Sequence, residues 1–346
     1  MIDLKNYICS VPFNSLEIHN NVCFVCCPSW LPNKVELSEI PLKDVYNSEP
    51  IIDIRSSILD GSFKYCDKEL CPYLSKLVNY GVTSGPVTLK SDSIIIGPIV
   101  KNNTPECLVM NFDRTCNYKC PSCRVDLIVE NSKGIKRVEK TIEDIDTHFS
   151  EHVKTLYITG SGDPFVSVGF RNYLRNFNPK KYPKLKSIHL HTNASMWNKE
   201  MWDSVPNIHK YVKTCEISID AGTKDTYENK TRLGGNWENL LDNLKFINTL
   251  PIKVKTSFVV QDSNYMEMET FYNLMYSIFG KKVNVFFGKI TNWGTFSEGE
   301  FKLKQVWNIE HPEHHSFKNN FNKIWKNQNL FHNLYEFIDT SNKTLI

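Results

Sequence analysis

From residue 106 onward the chain alternates two patterns. Short runs of β-branched, aromatic and aliphatic residues give way to longer stretches whose apolar positions recur every three or four residues. The runs 108–112, 155–159, 187–192, 214–219, 254–261 and 283–287 are bounded by polar turns and predict six strands. Between them, residues 237–250 carry Leu240, Leu241, Leu244, Phe246 and Ile247 at helical spacing, and residues 265–279 repeat the pattern. Residues 141–149 predict a helix opened by Thr-Ile-Glu-Asp, which reads as a capping box. Six strand–helix units in sequence imply a parallel sheet with right-handed crossovers. Their number suits an open (β/α)6 barrel better than a closed eightfold one. The tail, 313–340, reads as two aromatic-rich helices.

The first 90 residues look different. Residues 15–18 and 22–25 predict a hairpin around His19-Asn20-Asn21, and 42–46 and 51–59 predict helices. Residues 82–105 are rich in Gly, Pro, Ser and Asn and read as a linker with one short strand, 93–96. The expected parts are therefore 1–90, a small cysteine-rich domain; 91–300, a partial barrel; and 301–346, a helical tail. The chain is 41% hydrophobic and 12% aromatic, enough apolar material to exclude a disordered chain. Lys+Arg 41 against Asp+Glu 38 leaves a net charge of +3, which argues against dedicated nucleic-acid or anionic-membrane binding. No apolar run approaches the ~18–20 residues of a membrane span, and Met1-Ile2-Asp3-Leu4-Lys5-Asn6 lacks a secretory apolar region, so a cytoplasmic protein is expected.

The 11 cysteines change the picture. Without a secretory signal, metal or redox chemistry is a better expectation than disulfides. Cys116, Cys120 and Cys123 share one tight loop directly after the first predicted barrel strand. Three thiolates there could hold zinc with a fourth ligand from elsewhere. They could equally hold a [4Fe–4S] cluster and leave one iron open to a small molecule.

The CxxxCxxC loop after strand one resembles the radical SAM superfamily. That resemblance implies an iron that binds the amino and carboxylate groups of S-adenosylmethionine, whose reductive cleavage yields a 5′-deoxyadenosyl radical that removes a substrate hydrogen atom. Downstream, Thr159-Gly160-Ser161-Gly162-Asp163-Pro164 is similar to the family's Gly-Gly-Glu-Pro segment, with Ser161 and Asp163 as departures. Thr192-Asn193-Ala194 stands where members often have Thr-Asn-Gly. Ser218-Ile219-Asp220-Ala221-Gly222 and Arg232-Leu233-Gly234-Gly235 resemble the family's Ser-x-Asp-Gly and Arg-Gly runs. The resemblance therefore implies a cofactor site of Gly160, Ser161, Gly162, Asp163, Thr192, Asn193, Ser218 and Asp220. Arg232 is the carboxylate candidate, since a guanidinium matches a carboxylate with paired hydrogen bonds. The backbone near Val260 would flank the adenine. Ser122 replaces the family's frequent aromatic, and Tyr118 is the candidate for stacking instead.

Cys9, Cys23, Cys26, Cys27, Cys66 and Cys71 form a second group. The run from Cys9 through Leu16-Glu17-Ile18 and Asn20-Asn21 to Cys26, with Ile54-Arg55 and Cys66 later, resembles a SPASM or twitch auxiliary-cluster module placed before the barrel. Cys9, Cys26, Cys66 and Cys71 are the implied ligands, with Cys27 competing with Cys26 and a zinc knuckle as the other reading. Two [4Fe–4S] clusters, S-adenosylmethionine and a flavodoxin- or ferredoxin-type reductant are then expected, with about eight irons per chain. The expected fold is α/β, a partial (β/α)6 TIM-like barrel preceded by a twitch-like domain. The expected activity is modification of a peptide or protein. The alternatives are oxidation of a carbohydrate or aminocyclitol alcohol, methyl transfer, and a non-catalytic Fe–S or zinc protein. Cys215 is a candidate hydrogen-atom donor for an epimerase, and His311-Pro312-Glu313-His314-His315 a weaker metal-site candidate.

Overall fold

The structure, a computed structural model, describes residues 2–91, 100–101, 104–334 and 337. The chain divides into two compact units. The first comprises Met1–Asp113, Asn131–Ser161 and Asn172–Ile188; the second comprises Arg114–Glu130, Gly162–Arg171 and His189–Ile346.

In the first unit, β1 (Tyr7–Cys9), β2 (Ser15–His19), β3 (Val22–Phe24), β4 (Val35–Glu36), β5 (Val87–Leu89), β6 (Cys107–Asn111) and β7 (Thr155–Ile158) are the strands. The predicted hairpin is present: β2 pairs antiparallel with β3, Ile18 opposite Cys23. Its other edge was not legible in sequence. β2 runs parallel to β6 over its whole length, from Ser15 opposite Cys107 to His19 opposite Asn111. β6 continues parallel into β7. The cysteine-rich N-terminal segment thus shares a sheet with the first predicted barrel strand. The predicted strand 93–96 lies outside the described residues. In the linker before it, β5 pairs antiparallel with β1, so that Cys9 faces Val87. The predicted helices at 42–46 and 51–59 are Leu42–Val45 and Glu49–Leu59. Arg55 of the latter is fully buried, donates from Nε to Pro12 O at 2.8 Å and lies 4.1 Å over the Tyr46 ring.

The helix expected from Thr141 begins nine residues earlier, at Ser132. Asn131 caps it, accepting from Lys133 N and Gly134 N at 3.0 Å. Thr141 sits mid-helix and turns its Oγ1 back to Arg137 O at 3.0 Å. The apolar stripe explains the longer helix, because Val138 already belongs to the buried face with Ile142 and Ile145. Asn131→Ala should therefore destabilise the protein by about 1 kcal/mol, and Thr141→Ser by clearly less. Urea unfolding of the two variants checks this. A true capping box occurs instead at Ser297 and Glu300, opening Glu298–Lys304.

In the second unit the strands are β8 (Ser187–Thr192, of which 189–192 belong here), β9 (Val212–Ser218), β10 (Lys253–Val260), β11 (Val283–Lys289) and β12 (Leu330–His332). Their order is β12-β11-β10-β9-β8, and β9, β10, β11 and β12 are parallel. This is the predicted mixed α/β fold with a parallel sheet. One face of this sheet is apolar and covered. Phe258 and Phe287 meet Phe271 of the helix Met268–Phe279, with ring centroids 5.0–6.0 Å apart. The tail departs from expectation. A helix spans His314–Ile324, but Leu330–His332, predicted helical, is β12 and pairs with Val285–Phe287. The aromatic spacing that suggested a second helix serves a short strand, a common ambiguity for short apolar runs. No helix among the described residues is long and apolar enough to cross a membrane.

Candidate functional site

The three-cysteine loop is a compact turn. Cys123 N and Arg124 N both reach Cys120 O, at 2.9 and 3.0 Å, and Cys116 N reaches Ile128 O at 3.0 Å. Cys116 and Cys120 are buried, and Cys123 is partly exposed. Each sulfur receives one side-chain N–H. Asn193 Nδ2 lies 3.5 Å from Cys116 Sγ, Arg232 Nη1 lies 3.5 Å from Cys120 Sγ, and Arg124 Nη2 lies 3.4 Å from Cys123 Sγ. Burial pushes the Cys116 thiol up to about 11, with the nearby Asp163 adding to the rise. Burial raises Cys120 as well, against the pull of Arg232. Without a metal, the Cys116 and Cys120 thiols hold their protons. A bound metal displaces them and leaves thiolates. Three N–H donors, two from guanidinium groups, fit sulfurs that become anionic when occupied. The residues present therefore fit a thiolate-ligated cluster. Arg124 was not anticipated, although its place next to the third cysteine was a usable signal.

The strand ends around the loop are tied by buried carboxylates. Asp163 is fully buried, and several donors reach its carboxylate. Phe165 N reaches Oδ1 at 3.0 Å; Thr192 Oγ1 and Asn193 N reach Oδ2 at 2.7 and 2.8 Å. Desolvation raises its pKa and the donors draw it down; burial prevails. Asp163 thus fixes the turn that aims Asn193 at Cys116. Ser161 Oγ donates to Asn111 O at 2.8 Å, Gly160 is exposed and Gly162 is partly exposed.

Asp220 is the second such carboxylate. It accepts from Val259 N at 2.7 Å and pairs with Arg232 Nη2 at 2.6 Å. Arg232 also donates from Nε to Ile219 O at 3.3 Å, so the carboxylate candidate is already engaged by Asp220, Ile219 and Cys120. Asn264 Nδ2 donates to Asp220 O and Val259 O, both at 2.9 Å, and holds the end of β10 beside Val260, whose side chain is buried. Tyr118 is buried as well. Its hydroxyl lies 3.1 Å from Tyr227 Oη and its ring meets Tyr227 edge-on, so in this structure it packs against protein. Ser218 Oγ lies 2.9 Å from His191 Nε2.

Three non-glycine residues with left-handed backbone follow the ends of successive strands: Thr159 (φ 59°), Ala194 (φ 61°) and Asp220 (φ 59°). Such residues store about 1–3 kcal/mol each and collect where a turn is over-determined by its surroundings. Ala194 is the position where the resembling family has Gly. Ala194→Gly should therefore leave the melting temperature unchanged or raise it, and Ala194→Val should lower it sharply; thermal unfolding distinguishes the two.

Among the N-terminal cysteines, the implied four gather. Cys9 feels the charge of Cys66 and Cys71, Cys26 that of Cys9 and Cys71, and Cys66 that of Cys26 and Cys71, so all six pairs are within electrostatic reach. Burial raises Cys9, Cys26 and Cys66 to about 12. Trp30 Nε1 donates to Cys26 Sγ at 3.2 Å. Cys27 instead meets Ser29, Glu17 and Cys71, and Cys23 is fully buried on β3. Among the described residues no three His, Cys, Asp or Glu side chains converge as they would around a single metal ion. A cubane spreads its ligands over separate iron corners, wider than a zinc with bonds of about 2.3 Å.

Two other candidates change. Cys215 is fully buried on the covered face of β9, while Thr214 and Glu216 point the other way, so its thiol packs in the core. Cys215→Ala should leave reaction stereochemistry unaltered, which chiral analysis of product would check. His311 lies with Nε2 3.0 Å from Leu303 O, in a turn before the helix His314–Ile324.

The sequence over residues 110–275 matches the family described as the radical SAM superfamily. No curated protein matches. Among solved structures, Streptococcus suis SuiB bound to S-adenosylmethionine is similar at 16% identity and TM-score 0.46, covering 86% of this chain and 60% of that one. SuiB bound to precursor peptide SuiA gives 16% and 0.46 over 99% and 76%. The radical S-adenosylmethionine methyltransferase TsrM from Kitasatospora setae, with tryptophan substrate and aza-SAM bound, gives 11% and 0.39 over 54% and 38%. The chain thus spans 60% of the length of the S-adenosylmethionine-bound SuiB chain. Three donor-supported cysteines follow a parallel strand, and the family match runs from Met110 through that loop, so residues 110–275 are similar to the radical SAM superfamily in sequence as well as in the placing of its cysteines.

Proposed function

We propose that this chain is a radical enzyme that cleaves S-adenosylmethionine reductively and removes a hydrogen atom from a peptide or protein substrate. One observation supports it above the others: each sulfur of the 116–123 loop is met by a side-chain N–H. A [4Fe–4S] cluster held by Cys116, Cys120 and Cys123, with S-adenosylmethionine on its open iron, would supply the electron and the carbon radical. The chain's own residues do the rest. Asn193, Arg232 and Arg124 set the hydrogen bonding of the sulfurs. Asp163 holds Thr192 and Asn193 in place. Asp220 fixes Arg232, whose remaining hydrogen-bonding capacity is the proposed partner of the methionine carboxylate. Gly162 and Ser218 line the proposed cofactor seat, and the backbone beside Val260 its adenine end. Tyr118, packed on Tyr227, is a wall of that seat rather than a stacking surface.

Cys9, Cys26, Cys66 and Cys71 are the proposed ligands of a second cluster, within a twitch-like part spanning about residues 1–90. Their mutual proximity and the Trp30 bond to Cys26 favour Cys26 over Cys27. A flavodoxin or ferredoxin is the proposed reductant. A second reading, oxidation of a small-molecule alcohol, is favoured by the polar open face of β8–β10.

Anaerobic reconstitution followed by iron analysis and mass spectrometry tests these assignments. The expected result is about eight irons per chain and 5′-deoxyadenosine formed with dithionite. Replacing the four N-terminal cysteines with alanine should leave about four irons and keep cofactor cleavage. Zinc in place of iron would overturn the assignment. S-adenosylhomocysteine as the main product would indicate methyl transfer instead. With a substrate, loss of two hydrogens from an alcohol would select the second reading.

A further inference from the structure

The second unit's sheet has one face covered by helices and one that is not. On β9, Cys215 and Ile217 are buried, whereas Thr214, Glu216 and Ser218 are partly exposed. On β10 the covered face is Val254, Thr256, Phe258 and Val260, and Lys255 and Val259 lie partly exposed on the other. On β8 the uncovered positions within this unit are His189 and His191. A sheet face left open in a soluble protein is ordinarily charged or mixed. This one is nearly all hydrogen-bonding groups, held in fixed pairs.

The pairs run across the strands in rows. Lys255 and Glu216 stand in register and their side chains meet at 2.9 Å. Ser257 and Ser218 stand in the next row toward the strand ends, with Ser257 Oγ donating to Ser218 Oγ at 3.3 Å and Ser218 Oγ 2.9 Å from His191 Nε2. One row the other way, His189 Nδ1 lies 2.7 Å from Thr214 Oγ1. Lys255 Nζ also lies 4.4 Å over the Phe286 ring, which steadies the ammonium. Among the described residues, His191 hydrogen-bonds only Ser218, and Glu216 only Lys255. Each therefore keeps capacity for a ligand: the second ring nitrogen of one, the second carboxylate oxygen of the other.

Charge narrows what that ligand is. Burial works against the Glu216 carboxylate, but Lys255, 2.9 Å away, balances its charge and helps draw the carboxyl below its usual range. Burial and the neighbouring His191 bring His189 down to about 4, so its ring is neutral near pH 7. The Glu216–Lys255 pair offers no net charge to capture a phosphate or a carboxylate. Its Ser–His and Thr–His pairs can each present either a donor or an acceptor, because hydroxyl and imidazole can exchange roles. The partner matching that ambivalence is another hydroxyl.

We infer that the open face of β8, β9 and β10 is a recognition site for a neutral, hydroxyl-bearing ligand, taken by His191 and by the Glu216–Lys255 pair. The row of His191, Ser218 and Ser257 lies just before the strand ends that carry Asn193 and Asp220, the proposed cofactor seat. The inference rests on the proposed function for its meaning as a substrate site. The hydroxyl could belong to a free polyol or to a serine side chain of a peptide, and the geometry is the same for both.

The test is calorimetric titration of the anaerobically reconstituted protein with two probes, myo-inositol and acetyl-Gly-Ser-Gly-amide. One probe is expected to bind. Glu216→Gln, His191→Phe and Lys255→Met should each weaken it tenfold or more with an unchanged far-UV dichroism spectrum. Should His191→Phe fail to fold, His191→Gln is expected to fold and to weaken binding in the same direction. Binding of inositol assigns a free polyol, and binding of the peptide assigns a serine. No heat from either probe, or heat unaltered in all the variants, overturns the inference. Formation of 5′-deoxyadenosine, measured on the same samples without substrate, keeps the two readings apart. Cleavage without probe binding rejects only the recognition site. Probe binding without cleavage rejects the enzyme reading and leaves the site.

Discussion

Cys120→Ala is expected to abolish formation of 5′-deoxyadenosine, by at least ~10³-fold, which is on the order of 4 kcal/mol in the barrier. Cys120 is buried, and its sulfur is the one that Arg232 addresses. A cluster with one ligand per iron and one iron left open has no spare thiolate in the loop, so losing one sulfur loses the cluster. Iron content should fall from about eight to about four per chain, because the proposed N-terminal cluster would keep its own four cysteines. The packing consequence is small by comparison. Removing one buried sulfur from a turn held by its own backbone bonds leaves the turn in place. Activity and iron should therefore collapse together while the far-UV dichroism stays. Iron analysis and product mass spectrometry on the same sample check this. Retained cleavage with four irons lost would mean that the wrong cysteines carry the cofactor.

Arg232→Leu should have the largest effect on stability. Asp220 is fully buried, and its side chain pairs with that guanidinium at 2.6 Å. Removing one partner of a buried ion pair leaves the other uncompensated and costs about 3–5 kcal/mol. The sign of the pH dependence follows. Burial already pushes Asp220 above the usual carboxylate range, and Arg232 is the main group drawing it back. Without Arg232 the folded carboxyl rises further, so the folded state binds a proton that the unfolded chain has released. Stability then falls as pH rises from the unfolded carboxylate value through the raised folded value. The deficit of Arg232→Leu should be greatest on the alkaline side and should shrink on acidification toward the unfolded carboxylate range, as between pH 8 and pH 5. Guanidinium unfolding at the two pH values checks it, and a deficit that grew on acidification would contradict the account. Arg232→Lys should restore part of the stability, since a charge remains, but less of the sulfur contact, since an ammonium lacks the planar fork.

Much of this was legible in the chain. The β-branched runs that end in Asn111, Thr192 and Ser218 report strands directly, because a half-covered sheet imposes alternation at each position. The three-cysteine spacing is also local, since a tight loop leaves few ways to arrange the thiols. What sequence could not give was pairing between segments far apart. β2 lies 94 residues from the β6 partner whose Asn111 side chain meets its Glu17 at 2.9 Å, and nothing in either strand specifies the other. The same holds for β12, three residues long and too short to carry a period. Thr141 misled for a different reason. Thr-Ile-Glu-Asp has capping chemistry, but a cap also needs the helix to start there, and Val138 extends the buried stripe past it. The resemblance pointed at Arg232 as a ligand for a carboxylate. It could not show that the carboxylate nearest to hand is Asp220. Nor could it show that Tyr118 spends its ring on Tyr227, a partner 109 residues away.

The most direct test of the central claim is electron paramagnetic resonance of the anaerobically reconstituted Cys9/Cys26/Cys66/Cys71→Ala protein, reduced with dithionite, before and after S-adenosylmethionine is added. The account predicts the signal of one reduced [4Fe–4S] cluster whose shape and g-values shift on addition, as they would if the cofactor bound at an iron that no cysteine holds. A signal indifferent to S-adenosylmethionine, or a silent sample carrying zinc at the 116–123 loop, would contradict it.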